Sequence, residues 1–151
     1  MLALAGGAVG ARPAPGQRLS ATEVGAGATV VGARRWFSGG EIGVARRPGG
    51  QGRFGLTAAG GNYDGAPGVR LAASAQFLLA PGARTGASLY AGFGIAFAGA
   101  TSERGAGYLT ALVGLESAPG RAAGWYAELG LAGGVRLAAG RRWRWLPSSW
   151  Q

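Results

Sequence analysis

The sequence contains no cysteine, no histidine and no lysine. Without cysteine there are no disulfides and no thiol chemistry. Without histidine the Ser-His-Asp triad, the commonest general base and most zinc sites are excluded. Without lysine there is no P-loop. The chain also lacks any run of about 18 apolar residues, the length a membrane-spanning helix needs. It lacks the G-X-Y period of collagen and the G-x-S-x-G nucleophile turn of many hydrolases. Two stretches, "GAGATV" (25–30) and "GFGIAF" (92–97), begin like a dinucleotide fingerprint. Both miss the third glycine and neither opens a helix, so neither is read as a phosphate site. Charge is scarce as well: 14% of the residues, of which only six are acidic.

What the chain has is glycine, 32 of 151 residues, together with seven prolines. That approaches the level of low-complexity chains. Disorder does not follow, because 48% of the residues are apolar and Trp, Tyr and Phe are spread along the length. The net charge is +9 and every basic residue is arginine. The arginines are scattered rather than massed on one element, so nucleic acid is not the expected partner. The first residues carry a short apolar run (2–9), followed by small residues with Val9 and Ala11 spaced like a cleavage site, but no basic segment precedes the run. The organisation read here is a leader or truncated signal segment at 1–18, a β-barrel at 19–147 and a tail at 148–151.

Turn signals punctuate the rest. "RRPGGQG" (46–52), "APGARTG" (80–86) and "APGRAAG" (118–124) share a Pro-Gly step with arginine nearby. Between them fall "GARR" (32–35), "GGNYDGAPG" (60–68), "AGATSERGAG" (98–107) and "GG" (133–134). Seven breaks leave eight segments of similar length, a spacing that predicts an all-β barrel or sandwich. Within each segment the residues alternate. In "GASLYAGFGIAFAGA" (86–100), Leu89, Phe93, Ile95 and Phe97 share one face, and Ser88, Tyr90 and small residues share the other. The ionic groups of the strands gather on the small-residue face: Glu23, Glu41, Glu116 and Glu128 with Arg53, Arg70, Arg136 and Arg142. Arg141 is the exception, on the apolar face.

Alternation does not say which face is inside. A soluble lipocalin-like barrel is apolar within and would hold an apolar ligand among Phe54, Phe77, Phe93, Ile95 and Phe97; a membrane barrel is the reverse. Three features favour the second. The polar face is too poor in charge to be a soluble exterior. Its few charges are balanced in sign, as a narrow lumen requires. Aromatic residues gather toward segment ends, at Trp36, Phe54, Tyr63, Trp125, Trp143, Trp145 and Trp150, as interfacial girdles do. Arg141 is then expected near a rim, where a lipid-facing arginine is tolerated, and the turn arginines Arg46, Arg47, Arg84 and Arg121 are placed to meet anionic headgroups. Glu116 and Glu128 as an acid/base pair acting on a glycan is the weaker reading beside structural ion pairing.

The last two segments, "GWYAELGLAGGVRLAAGRRWRW" (124–145), resemble the closing strands of small eight-stranded outer-membrane β-barrels of the OmpA/OmpX-like class. The chain differs from that pattern in running on through "LPSSWQ" rather than ending on an aromatic residue. The resemblance implies an antiparallel up-and-down transmembrane barrel in the outer membrane of a Gram-negative-type envelope, the expected state is a monomer, and the residue types missing from the chain lead to the expectation of no cofactor, no bound metal and no enzymatic activity. Its partners would be outer-membrane lipid and the barrel-insertion machinery. It places the three Pro-Gly turns on the periplasmic side and the other, short connections outside. The function expected is structural, or a minor interaction or pore role.

Overall fold

The structure, a computed structural model, describes residues 20–148. The leader at 1–18, most of the tail and Trp150 lie outside these residues. Eight strands follow one another: β1 (Ala21–Gly32), β2 (Trp36–Gly49), β3 (Gly52–Tyr63), β4 (Ala66–Leu78), β5 (Ala87–Ala100), β6 (Glu103–Ser117), β7 (Ala123–Leu131) and β8 (Val135–Trp145). Each pairs antiparallel with its chain neighbours, and β8 pairs with β1, so the sheet closes without a free edge pair. Closure satisfies the backbone groups that an open sheet would present. The ladder read from Glu23 passes through Ala45, Gly55, Ser74 and Gly94 to Thr110, which puts the strands at a steep tilt to the barrel axis.

Strands run further than the turn signals suggest. "GGNYDGAPG" is mostly strand: β3 continues to Tyr63 and β4 starts at Ala66. The hairpin between them needs only Asp64 and Gly65, both at positive φ (52° and 91°), with the Gly65 N–H donating to Asn62 Oδ1 at 2.8 Å. An Asp-Gly pair is the natural two-residue hairpin because both residues tolerate that conformation. Likewise β6 begins at Glu103, inside "AGATSERGAG".

The alternation resolves into an apolar exterior. Phe93 is 71% exposed and Leu109 85%, and Ile42, Leu56, Leu71, Ile95, Leu129 and Leu137 also face outward. The interior is polar: Glu23, Glu41, Arg47, Arg53, Arg70, Glu116, Glu128, Arg142 and Arg144 are all buried. A water-soluble globule does the opposite. The small interior apolar cluster, Val31, Phe37 and Ala59 with Tyr63 against it, fills the lumen at the end away from Ala21 and Trp145.

The end that carries Ala21 and Trp145 is closed by two of the Pro-Gly turns. The Gly120 N–H donates to the Ala83 carbonyl at 2.8 Å, and a side chain at Gly120 would strike the Gly82 backbone. Pro119, in a turn, and Leu78, the last residue of β4, are fully buried at this end. The third Pro-Gly turn, between β2 and β3, uses Gly49 and Gly50 at positive φ and accompanies a register shift after Arg46.

Inside, size is matched to neighbours. Tyr90 and Gly114 are cross-strand partners, and a Cβ on Gly114 would overlap the Tyr90 ring. Replacing Gly114 with Leu is expected to force Tyr90 from its place and destabilise the barrel by about 1–3 kcal/mol, the usual cost of overpacking. The readout is denaturant unfolding in detergent micelles; a midpoint equal to the wild type's would contradict this packing.

Candidate functional site

Among the described residues, the buried charged side chains converge in the lumen, and they do so in two tiers. In the lower tier, toward the closed end, Glu23 (β1) and Glu116 (β6) are shared by four arginines. Glu116 Oε2 accepts from Arg53 Nη1 at 2.9 Å, Arg142 Nη1 at 2.7 Å and Arg144 Nη2 at 2.8 Å. Glu23 meets Arg47 Nη2 at 2.5 Å and Arg53 Nη1 at 3.2 Å. These four arginines come from β2, β3 and β8, so the tier ties opposite walls together. Backbone carbonyls of the closing turns take part: Arg47 Nη1 donates to Pro81 O at 3.0 Å, and Arg144 Nη1 reaches Arg121 O at 3.4 Å.

In the upper tier Arg136 bridges two glutamates, donating to Glu41 Oε2 and Glu128 Oε2 at 2.7 Å each. The remaining oxygens accept from phenols: Glu128 Oε1 from Tyr90 at 2.7 Å and Glu41 Oε1 from Tyr126 at 2.8 Å. The two tyrosines join the tiers, since Arg53 lies 4.5 Å from the Tyr90 ring centre and Arg142 4.6 Å from that of Tyr126. Guanidinium planes suit both jobs, forked donation to carboxylates and stacking on rings. Buried charge is tolerated on these terms, paired and hydrogen-bonded.

Each residue expected in the ion-pair ladder therefore lies in the lumen. Seven of them (Glu23, Glu41, Arg53, Glu116, Glu128, Arg136 and Arg142) join the network; Arg70 sits apart, donating from Nη2 to the Ala132 carbonyl at 2.9 Å. Arg144 joins the network as well, and Arg47 departs from the position expected for it. Arg47 is not a headgroup-facing turn residue: its side chain is fully buried against Glu23. Alternation carried one position past Arg46 would have turned it inward, because β2 continues to Gly49. Tyr90, Tyr126 and Gln76 were also unassigned; Gln76 Oε1 accepts from Arg53 Nε at 2.8 Å.

Of the aromatic residues assigned to girdles, Trp36, Phe54, Trp125, Trp143 and Trp145 all face outward and are exposed. Phe54, Trp125, Trp143 and Trp145 lie toward the closed end, and Trp36 toward the other. Tyr63 turns inward instead and packs on Phe37, ring centres 6.3 Å apart. Arg141 is exposed on the outer wall, opposite Trp125 and Ala26 and four positions along β8 from Trp145.

One wall of the lumen is nearly bare. Gly55, Thr57, Ala72, Ser74, Ala96 and Thr110, from β3 to β6, face the ion-pair tiers across a cavity of about 80 Å3. That space holds a few water molecules at most. No group of three or more metal-ligating residues is present among the described residues.

No protein-family model matches the sequence, and no curated protein matches it. Solved structures do. The chain is similar to the outer membrane protein OprG from Pseudomonas aeruginosa (TM-score 0.66, 11% identity, 86% of this chain and 98% of that one). It is similar to the N-terminal β-barrel domain of OprF from the same organism (TM-score 0.58, 18% identity, 83% and 97%). It is also similar to Neisserial surface protein A (TM-score 0.56, 15% identity, 82% and 96%). The fold is that of the small eight-stranded outer-membrane β-barrels.

The lower tier should dominate stability. Glu116→Gln removes the charge on which four guanidinium groups converge and is expected to destabilise by about 3–5 kcal/mol. Glu103→Gln, which breaks the half-exposed pair with Arg35 at the opposite end, should change stability by only about 0–1 kcal/mol. Unfolding midpoints of the two variants, measured side by side, check the ranking; equal midpoints would refute it.

Proposed function

We propose that this chain is a small monomeric outer-membrane barrel with a structural role in the envelope, its lumen closed by the ion-pair network rather than open as a pore. The observation that carries this is the inverted polarity: charges buried inside, large apolar side chains outside, and a sheet closed into a barrel. In hydrocarbon such a surface is matched to its solvent. The tiers built on Glu116 and Arg136 occupy the bore, and the turns around Gly82 and Gly120 cover one end. The cavity beside the bare wall, about 80 Å3, leaves room for a few water molecules. The aromatic residues Phe54, Trp125, Trp143 and Trp145 suit one membrane interface and Trp36 the other. Assembly would run through lipid and the barrel-insertion machinery, with the closed end on the periplasmic side. The short hairpins at the other end, such as Asp64–Gly65, offer little surface for recognising a large ligand.

Arginine scanning of the outer wall tests this reading. In phospholipid vesicles Phe93→Arg, at mid-strand, is expected to destabilise by about 2–4 kcal/mol, and Trp145→Arg, at the rim, by about 0–1 kcal/mol. A soluble barrel would show no such depth dependence. A chain that stays folded in water without detergent, with both variants neutral, would overturn the proposal.

A further inference from the structure

The lumen sets six arginines (Arg47, Arg53, Arg70, Arg136, Arg142 and Arg144) against four glutamates. The carboxylates are shared among five of the six. Both oxygens of Glu41 and both of Glu128 are taken by Arg136, Tyr126 and Tyr90. Glu23 and Glu116 serve Arg47, Arg53, Arg142 and Arg144. Arg70 is left over. It is only 7% exposed, its Nη2 donates to a backbone carbonyl, its guanidinium lies 5.9 Å from the Phe37 ring centre, and it forms no ion pair among the described residues. A guanidinium does not shed its proton to escape burial. A buried cation of this kind calls for an anion.

Space for one is present. Arg70 lines the cavity of about 80 Å3 on the same wall as the hydroxyls of Thr57, Ser74 and Thr110, and the paired groups of the two tiers, among them Arg136 with Glu41 and Glu128, line it as well. Hydroxyls turn to donate wherever an acceptor sits. The volume suits a single small ion with a water or two and excludes an organic acid. We propose that this cavity is a binding site for one small inorganic monoanion, of chloride size, held by Arg70. The proposal depends on the closed barrel and its lumen, and not on which membrane the barrel occupies.

The test is chloride NMR linewidth on the folded protein in zwitterionic micelles, titrated from low chloride. The wild type is expected to give excess broadening that saturates. Arg70→Gln should lose the saturable part, and Arg141→Gln, on the outer wall, should keep it. A heat-dependent shift on SDS gels confirms that each variant is folded. No saturable broadening in the wild type, or its persistence in folded Arg70→Gln, would overturn the proposal. Should Arg70→Gln not fold, wild-type crystals soaked in bromide decide: an anomalous peak against the Arg70 guanidinium supports the site, and its absence there refutes it.

Discussion

Everything in this molecule follows from the narrowness of an eight-strand bore. Inward side chains from opposite walls meet, so an inward charge is buried and needs a partner across the lumen. Glu116 is where that constraint is met most densely: one carboxylate oxygen accepts from arginines of β3 and β8 at once. Bonds of this kind are charge-assisted and geometrically demanding. They hold walls at a set distance, which a lumen filled by flexible apolar chains would not do. Small residues opposite them are the necessary counterpart. Tyr90 has its place because Gly114 faces it, and the wall from Gly55 to Thr110 is bare because the arginines reach toward it.

The same constraint explains the composition. A chain with few charges, and those placed inside, cannot present a water-compatible exterior, so its apolar face must find another solvent. Glycine abundance, which at first suggests a loose polymer, reads differently once half the strand positions point into a crowded bore. The turns obey a related logic: those around Gly82 and Gly120 fold under the barrel, and their carbonyls at Pro81 and Arg121 accept from Arg47 and Arg144. The closed end is therefore part of the ion-pair network.

Much of this was legible from residue order alone. Period-two alternation gave the strands and their faces, because a strand has no freedom in which way successive side chains point. The eight ladder residues could be assigned to one face for that reason. Strand ends were harder. Asp64 and Gly65 make a hairpin in two residues, whereas the surrounding glycines and Pro67 look like loop. Ending β2 at Arg46 hid the inward direction of Arg47. Pairing was beyond reach: nothing in the sequence says that Arg136 bridges Glu41 and Glu128 while Arg70 takes a carbonyl, since that depends on the stagger of strands around the barrel. Tyr63 shows the same limit, because an aromatic residue near a strand end fits a girdle or a plug equally well until its face is known.

The central claim is that the apolar face meets lipid and the charged face meets itself. Tryptophan emission measured in vesicles whose acyl chains carry bromine tests it most directly. Trp36, Trp125, Trp143 and Trp145 stand on the outer wall, so bromine placed near the headgroup end of the chains should quench strongly, and bromine deep in the bilayer less. Emission indifferent to brominated lipid at every depth would mean that these residues do not touch the membrane, and the account would be wrong.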